Sequence, residues 1–202
     1  ERNFFSLTLA ESVGSKELAL SARPIVLTFN GAFSDFEQVV PLLNKYHFTA
    51  TLFVPTAYVG KQSTYLEAEQ QRPVMDWVAL QGLANIEIAS LGHAHFNLSE
   101  ASDAEAREDI LRSKELLESN LGLPCQTFAY PNGHYTPTTS ELVKSAGFLA
   151  ACTFRAEVSN LSHDVYTLPR FAVTSQTSLS EIIGSKAKDK TRFSSFFNLF
   201  RP

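Results

Sequence analysis

Cysteine, methionine and tryptophan are nearly absent from this 202-residue chain, which has two Cys, one Met and one Trp. Two cysteines, Cys125 and Cys152, are too few for a disulfide scaffold, so a hydrophobic core has to hold the chain together. Both fall in predicted strands and read as buried free thiols, with a cross-strand disulfide as the alternative. An excess of basic charge is missing too. Lys and Arg number 17 against 21 Asp and Glu, a formal net charge of -4, which removes the electrostatic case for nucleic-acid binding. No apolar run reaches the roughly 20 residues of a membrane-spanning helix. Residue 1 does not open a signal peptide, which leaves a cytoplasmic and a processed envelope protein equally open. Low-complexity tracts and repeats are absent. What remains is 44% hydrophobic, enough for one substantial core and short for two full domains.

Strand and helix patterns alternate throughout. Strands are predicted over 25–29, 50–54, 85–90, 126–130, 149–153 and 166–171. Between them lie helices from about Phe36 to Tyr46 (with Pro41 near its first turns or marking a kink), Asp76 to Leu83, a capping-box start at Ser102 and Glu105, and Pro137 to Ala146 stopping at Gly147. Such alternation means βαβ units on a parallel sheet, and about six units favour closure into a barrel. The end of the chain reads differently. Lys186, Lys188 and Lys190 precede Phe193, Phe196, Phe197 and Phe200, whose spacing is helical. The expectation is a domain over 1–185 and a basic, Phe-rich helical tail over 186–202. That tail would dock on its own domain, meet a partner or second copy, or lie on a membrane surface.

The apolar run from Ile25 to Phe29 has the character of a buried parallel strand. It is followed by Asn30-Gly31-Ala32-Phe33 and a helix start at Ser34-Asp35, where an N-cap is expected. Strand C-terminal ends are where α/β proteins place their sites. Leu27-Thr28-Phe29-Asn30-Gly31-Ala32-Phe33 resembles the Leu-Thr-Phe-Asp-Asp-Gly-Phe/Tyr motif of the NodB-homology polysaccharide deacetylases (carbohydrate esterase family 4). Three further stretches resemble that family in order and spacing: Glu87 to Leu98, Phe128-Ala129-Tyr130-Pro131-Asn132-Gly133, and Leu168-Pro169-Arg170-Phe171 through Leu179. Trp77 also stands where the family tends to have Trp. The exopolysaccharide and poly-N-acetylglucosamine deacetylase branch is the most similar. The resemblance implies a distorted (β/α) barrel, a bacterial source and N-acetylated sugars as the substrate class.

In that family the first Asp is a general base, while the second and two His bind the metal. The matching positions here are Asn30, Gly31, Leu91 and His95. Asn30 has no proton affinity near neutral pH, and Gly31 and Leu91 offer no lone pair. A catalytic zinc wants three protein ligands and an open position. No His follows His163, so the family's Leu-x-His acid motif is absent, and the adjacent His163 and Asp164 read as a solvated turn. Neither catalytic residues nor a cofactor are therefore expected. The domain reads as a glycan-binding, scaffold or regulatory protein of bacterial extracellular polysaccharide synthesis or modification. Asn30, His95, Tyr130, Pro131, Asn132, Tyr135 and Arg170 are the candidate substrate-contacting residues, with a purely structural role as the alternative for His95, Tyr130, Asn132, Tyr135 and Arg170. The alternative is an active zinc-dependent deacetylase with relocated ligands. His93 and His95 would then share one face of a strand, with Asp35 or His134 as the third ligand.

Overall fold

A computed structural model describes residues 4–14, 23–156, 163–174, 176–178 and 196–199. Its strands are β1 (Phe4–Leu7), β2 (Arg23–Asn30), β3 (Ala50–Val54), β4 (Ile86–Ser90), β5 (Thr127–Ala129), β6 (Ala150–Cys152), β7 (Phe171–Val173) and β8 (Phe196–Leu199). They form one sheet in the order β6-β5-β4-β3-β2-β8-β7, with β1 also on β2. Every named ladder is parallel. A parallel bridge from Leu168 to Cys152 brings the chain back to the β6 edge, so the sheet curls into a distorted (β/α) barrel.

Period-2 alternation sorts the side chains into two cores. Val26, Phe53, Ala89, Ala129, Ala150 and Cys152 point into the barrel, and three alanines among them leave its axis narrow. Phe29, Leu52, Val54 and Phe128 point outward and meet Leu80, Ile110, Leu117 and Val143 of the surrounding helices. Among these helices, Asp103–Leu121 opens with the capping box read from the sequence. The Ser102 side chain accepts from the Glu105 N–H, and the Glu105 carboxylate accepts from the Ser102 N–H at 3.0 Å. It closes at Gly122 in the left-handed region.

Four expectations need correction. The helix expected over 36–46 is split into a 3₁₀ turn at Ser34–Gln38 and an α-helix at Val40–Lys45. Pro41 lacks an N–H and its ring collides with a preceding carbonyl, so it starts a helix better than it continues one. The last strand of the 1–185 unit falls at Phe171–Val173, after Tyr166. Cys125 precedes β5 rather than lying in it. Both cysteines are buried free thiols, which burial pushes up to about 12. Finally, Phe196–Leu199 is extended rather than helical, pairing with β2 through Val26↔Phe196 and with β7 through Phe171↔Phe197. The ladder satisfies backbone donors and acceptors on both neighbours, and that outweighs a helical side-chain spacing. Lys186, Lys188, Lys190, Phe193 and Phe200 lie outside the described residues.

β1 and the Leu9–Gly14 helix were not anticipated, and they stop the N-terminal end of the barrel. Leu9 is fully buried there, and its N–H donates to Thr51 Oγ1 at 2.8 Å. The Thr51 hydroxyl donates onward to Glu87 Oε2 at 2.7 Å, and Thr127 Oγ1 donates to Glu87 Oε1 at 2.6 Å. The Ala10 N–H reaches the same carboxylate at 3.2 Å. One acceptor-only group thus ties β3, β4, β5 and the plug together. Glu87→Gln offers a single carbonyl oxygen to donors on both sides, so it should lose about 1–3 kcal/mol of stability in urea unfolding.

Candidate functional site

The site lies where the strands end. β2 delivers Asn30 to the barrel interior, and Arg170 lies against it with no exposed surface. Arg170 Nη1 donates to Asn30 Oδ1 at 3.0 Å and to Thr28 Oγ1 at 3.2 Å, and its Nε donates to the Thr153 carbonyl at 2.9 Å. The rings of Phe53 and Phe154 stand 5.3 and 4.7 Å from the guanidinium carbon. Among the described residues Nη2 has no acceptor and no carboxylate pairs with this cation. Burial pushes the pKa of Arg170 down, but an arginine stays protonated at neutral pH.

Gly31 follows with φ of +95°, a backbone that side chains resist. A Cβ built on it would lie 2.5 Å from the Phe33 ring, so the volume of the missing side chain is already occupied. Ala32 is also left-handed (φ 48°) and fully buried. The Arg72 guanidinium covers a face of the Phe33 ring, 3.7 Å from its centroid, and its Nη1 pairs with Asp35 Oδ2 at 2.8 Å. Asp35 is therefore an ion-pair partner and not the helix cap expected; Phe33 takes that position without a side-chain bond.

After β4 the chain turns through Gly92, where Asp109 reaches up from the Asp103–Leu121 helix. Its carboxylate accepts the N–H groups of His93 and Ala94 at 2.8 and 2.7 Å. Burial raises its pKa and these two bonds oppose that rise. The turn sends the two histidines to different places. His93 Nδ1 lies 2.9 Å from Thr56 Oγ1, whereas His95 is left-handed (φ 57°) and stacks on Tyr65 with centroids 4.0 Å apart. Burial lowers the pKa of His95 to about 4, so the ring is neutral at physiological pH.

These residues enclose a cavity of about 120 Å³ lined in part by Asn30, Phe33, Arg72, Leu91, His95 and Asn132. A divalent metal does not fit this donor set. Asn30 Oδ1 already accepts from a cation, Gly31 has neither side chain nor room for one, Leu91 is apolar and fully buried, and His95 stands alone. Among the described residues no three His, Cys, Asp or Glu are grouped to hold an ion. The relocated pair His93 and His95 is corrected on the same ground. The two lie in a turn beyond β4, not in a strand, and are separately partnered. Asp35 is engaged by Arg72, and His134 sits on an exposed turn.

Several candidate contact residues are also relocated. Tyr130 is fully buried, its hydroxyl donating to the Tyr166 carbonyl at 3.0 Å and its ring stacked on Tyr135, so it packs behind the groove. Pro131 is buried as well. Arg170 lies beneath the cavity and holds Asn30, out of reach of a ligand's own carboxylate. Asp164 accepts from the Tyr166 N–H at 3.0 Å in a turn, as read for the His163-Asp164 pair. Asn30, His95 and Asn132 remain at the cavity. Phe33, Tyr65 and Arg72 were missed as site residues. Tyr65 and Arg72 come from the irregular stretch between β3 and Trp77–Gln81, pinned by bridges from Phe33 to Val74 and Gln62 to Pro73. Aromatic and basic residues in an aperiodic stretch that size were the available signal.

Three outcomes test this geometry. Asn30→Asp gives Arg170 a counter-ion and should raise stability by roughly 1–3 kcal/mol in urea unfolding. Gly31→Asp should lower it by about 3 kcal/mol or more, and by less in a Phe33→Ala background, which a double-mutant cycle reads directly. For His95 the folded pKa lies below the unfolded value of 6.5, so the unfolded chain binds more protons between pH 6.5 and about 4. Its contribution is present above pH 6.5 and is lost as pH falls through that window, by roughly 3 kcal/mol at most. The difference in thermal midpoint between wild type and His95→Gln should change over that range and level off outside it.

Comparison with known proteins bears on the family and the fold. A family model described as polysaccharide deacetylase matches residues 18–151. The poly-beta-1,6-N-acetyl-D-glucosamine N-deacetylase of Staphylococcus aureus (strain MRSA252) is 24% identical over 147 residues, which are 69% of this chain and 50% of that protein. The chain thus spans about half the length of the curated relatives it matches. Among solved structures, the Streptococcus pyogenes deacetylase PplD in complex with acetate superposes with a TM-score of 0.78 at 20% identity, covering 91% of this chain and 80% of that one. A family 4 pseudoenzyme from Bacillus anthracis gives 0.51 at 18% identity, covering 64% and 43%.

Proposed function

The chain belongs to the polysaccharide deacetylase family, and we propose that this domain binds an N-acetylated glycan without hydrolysing it. Its role would be recognition, scaffolding or regulation in bacterial exopolysaccharide synthesis or modification. The observation that carries this reading is the filling of the reactive corner. Where the family resemblance puts a general base and a metal ligand, Asn30 is held by Arg170 and the space beside Gly31 is taken by Phe33. Asn30 cannot take a proton from water, and neutral His95 is committed to Tyr65. What the barrel retains is a concave mouth with aromatic and amide groups around it, a surface that stacks on sugar faces and bonds their hydroxyls. The exopolysaccharide setting is supported by the poly-N-acetylglucosamine deacetylases among its relatives.

The purified domain should carry far less than one equivalent of zinc by elemental analysis. It should release no chelator-sensitive acetate from poly-N-acetylglucosamine oligomers, and bind those oligomers in calorimetry. Equimolar zinc together with chelator-sensitive acetate release would sink the reading. Absence of any glycan affinity would sink its binding half.

A further inference from the structure

The cavity has an unusual charge inventory. Among the described residues none of its lining is acidic, His95 is neutral, and two guanidiniums stand at it, Arg72 in the wall and Arg170 directly beneath Asn30. Each carries a buried N–H without an acceptor, Nε on Arg72 and Nη2 on Arg170. The nearest engaged carboxylate, Asp35, meets Arg72 from an exposed position and accepts only at Nη1. Arg170 has neutral partners alone: Asn30, Thr28 and the Thr153 carbonyl. A buried Arg170 with no counter-ion among the described residues, beside a partly exposed Arg72 whose Nη1 meets Asp35 but whose Nε stays unpaired, creates a field that favours an anion.

Resting on the reading of this domain as a glycan binder, we propose that the cavity takes the carboxylate of an acidic sugar residue. Arg72 holds the carboxylate, and the field of Arg170 supports it from below. The cavity is about 120 Å³, smaller than the roughly 300–1,000 Å³ of sites that enclose a whole ligand, so a substituent enters and its sugar stays at the mouth. Gln70 and Asn132 are exposed there and offer amides to hydroxyls. A carboxylate is favoured over a tetrahedral oxyanion because Arg72 lies on the Phe33 ring, 3.7 Å from its centroid. A flat, fixed guanidinium edge matches two coplanar oxygens.

Calorimetry with tri-galacturonate, a hyaluronan tetrasaccharide, tri-N-acetylchitotriose, sodium acetate and sodium sulfate tests this. At least one uronate oligomer should bind tenfold or more tighter than tri-N-acetylchitotriose, and more weakly as salt rises. Arg72→Gln and Asn30→Asp should each weaken that binding at least tenfold, a larger loss than either causes for tri-N-acetylchitotriose. Asn30→Asp neutralises Arg170 with hardly any change in shape, and thermal unfolding verifies that both variants fold. Uronate binding that ignores both substitutions would put the anion elsewhere and overturn the proposal. Sulfate competing as well as acetate would overturn the carboxylate assignment, and acetate binding as tightly as the oligomers would overturn the polymer as its source. If only tri-N-acetylchitotriose binds, this inference falls and the glycan reading stands; if nothing binds, both fall.

Discussion

A single buried cation organises this molecule's open end. Arg170 joins the end of β2, through Thr28 and Asn30, to the chain leaving β6, through Thr153. These are segments far apart in sequence, and the contact lies where the curled sheet brings its edges together. An arginine so placed cannot shed its proton, so its surroundings have to tolerate a full charge. They do so with neutral oxygens and two aromatic faces. Removing water from such a group is expensive without an anion nearby, so the barrel carries stored electrostatic strain at its mouth.

The other changes at the mouth fit that arrangement. The left-handed turn at Gly31 and Ala32 folds Phe33 back over the space beside Gly31, and the same ring then seats Arg72. Leu91 fills its position with hydrocarbon, and His95 packs on Tyr65 as a neutral ring. Each substitution is tolerable because another occupies the volume or supplies the contact it gives up. Restoring acids one at a time therefore meets a wall of aromatic carbon at Gly31 and a waiting cation at Asn30. Those two outcomes have opposite signs.

Much of the fold was legible because buried parallel strands and capped helices leave local marks. The apolar run at 25–29, the Ser102–Glu105 box and the Pro137 start each depend on residues a few positions apart. Failures occurred where distant contacts decide. The Phe spacing over 193–200 is helical, but Phe196–Leu199 meets open strand edges; the apolar stripe over 36–46 failed instead for a local reason, because it contains Pro41. β1 and its short helix are too brief for periodicity to register, although Leu9 seals the barrel. At the site, the missing acids at 30 and 31 and the missing His at 91 could be read directly. What filled their places could not. Phe33 looks like ordinary core, and Tyr65 and Arg72 come from a stretch without any repeat.

The same limits left Arg170 open in the sequence, as a structural residue or as a contact for a carboxylate or sulfate. An arginine after Leu-Pro at a strand end has the outward form of a ligand contact, and only its depth shows otherwise. Depth also changes its chemistry. An exposed guanidinium would hold a sugar acid itself and lose most of its field to solvent and salt. A buried one acts through the low-dielectric wall in front of it, without moving and without meeting the ligand. The proposed division of labour follows from that difference: Arg72 supplies contact and geometry, and Arg170 supplies a fixed potential. Such a potential does not depend on a bound ion, so a barrel of this shape can keep a charged mouth without one.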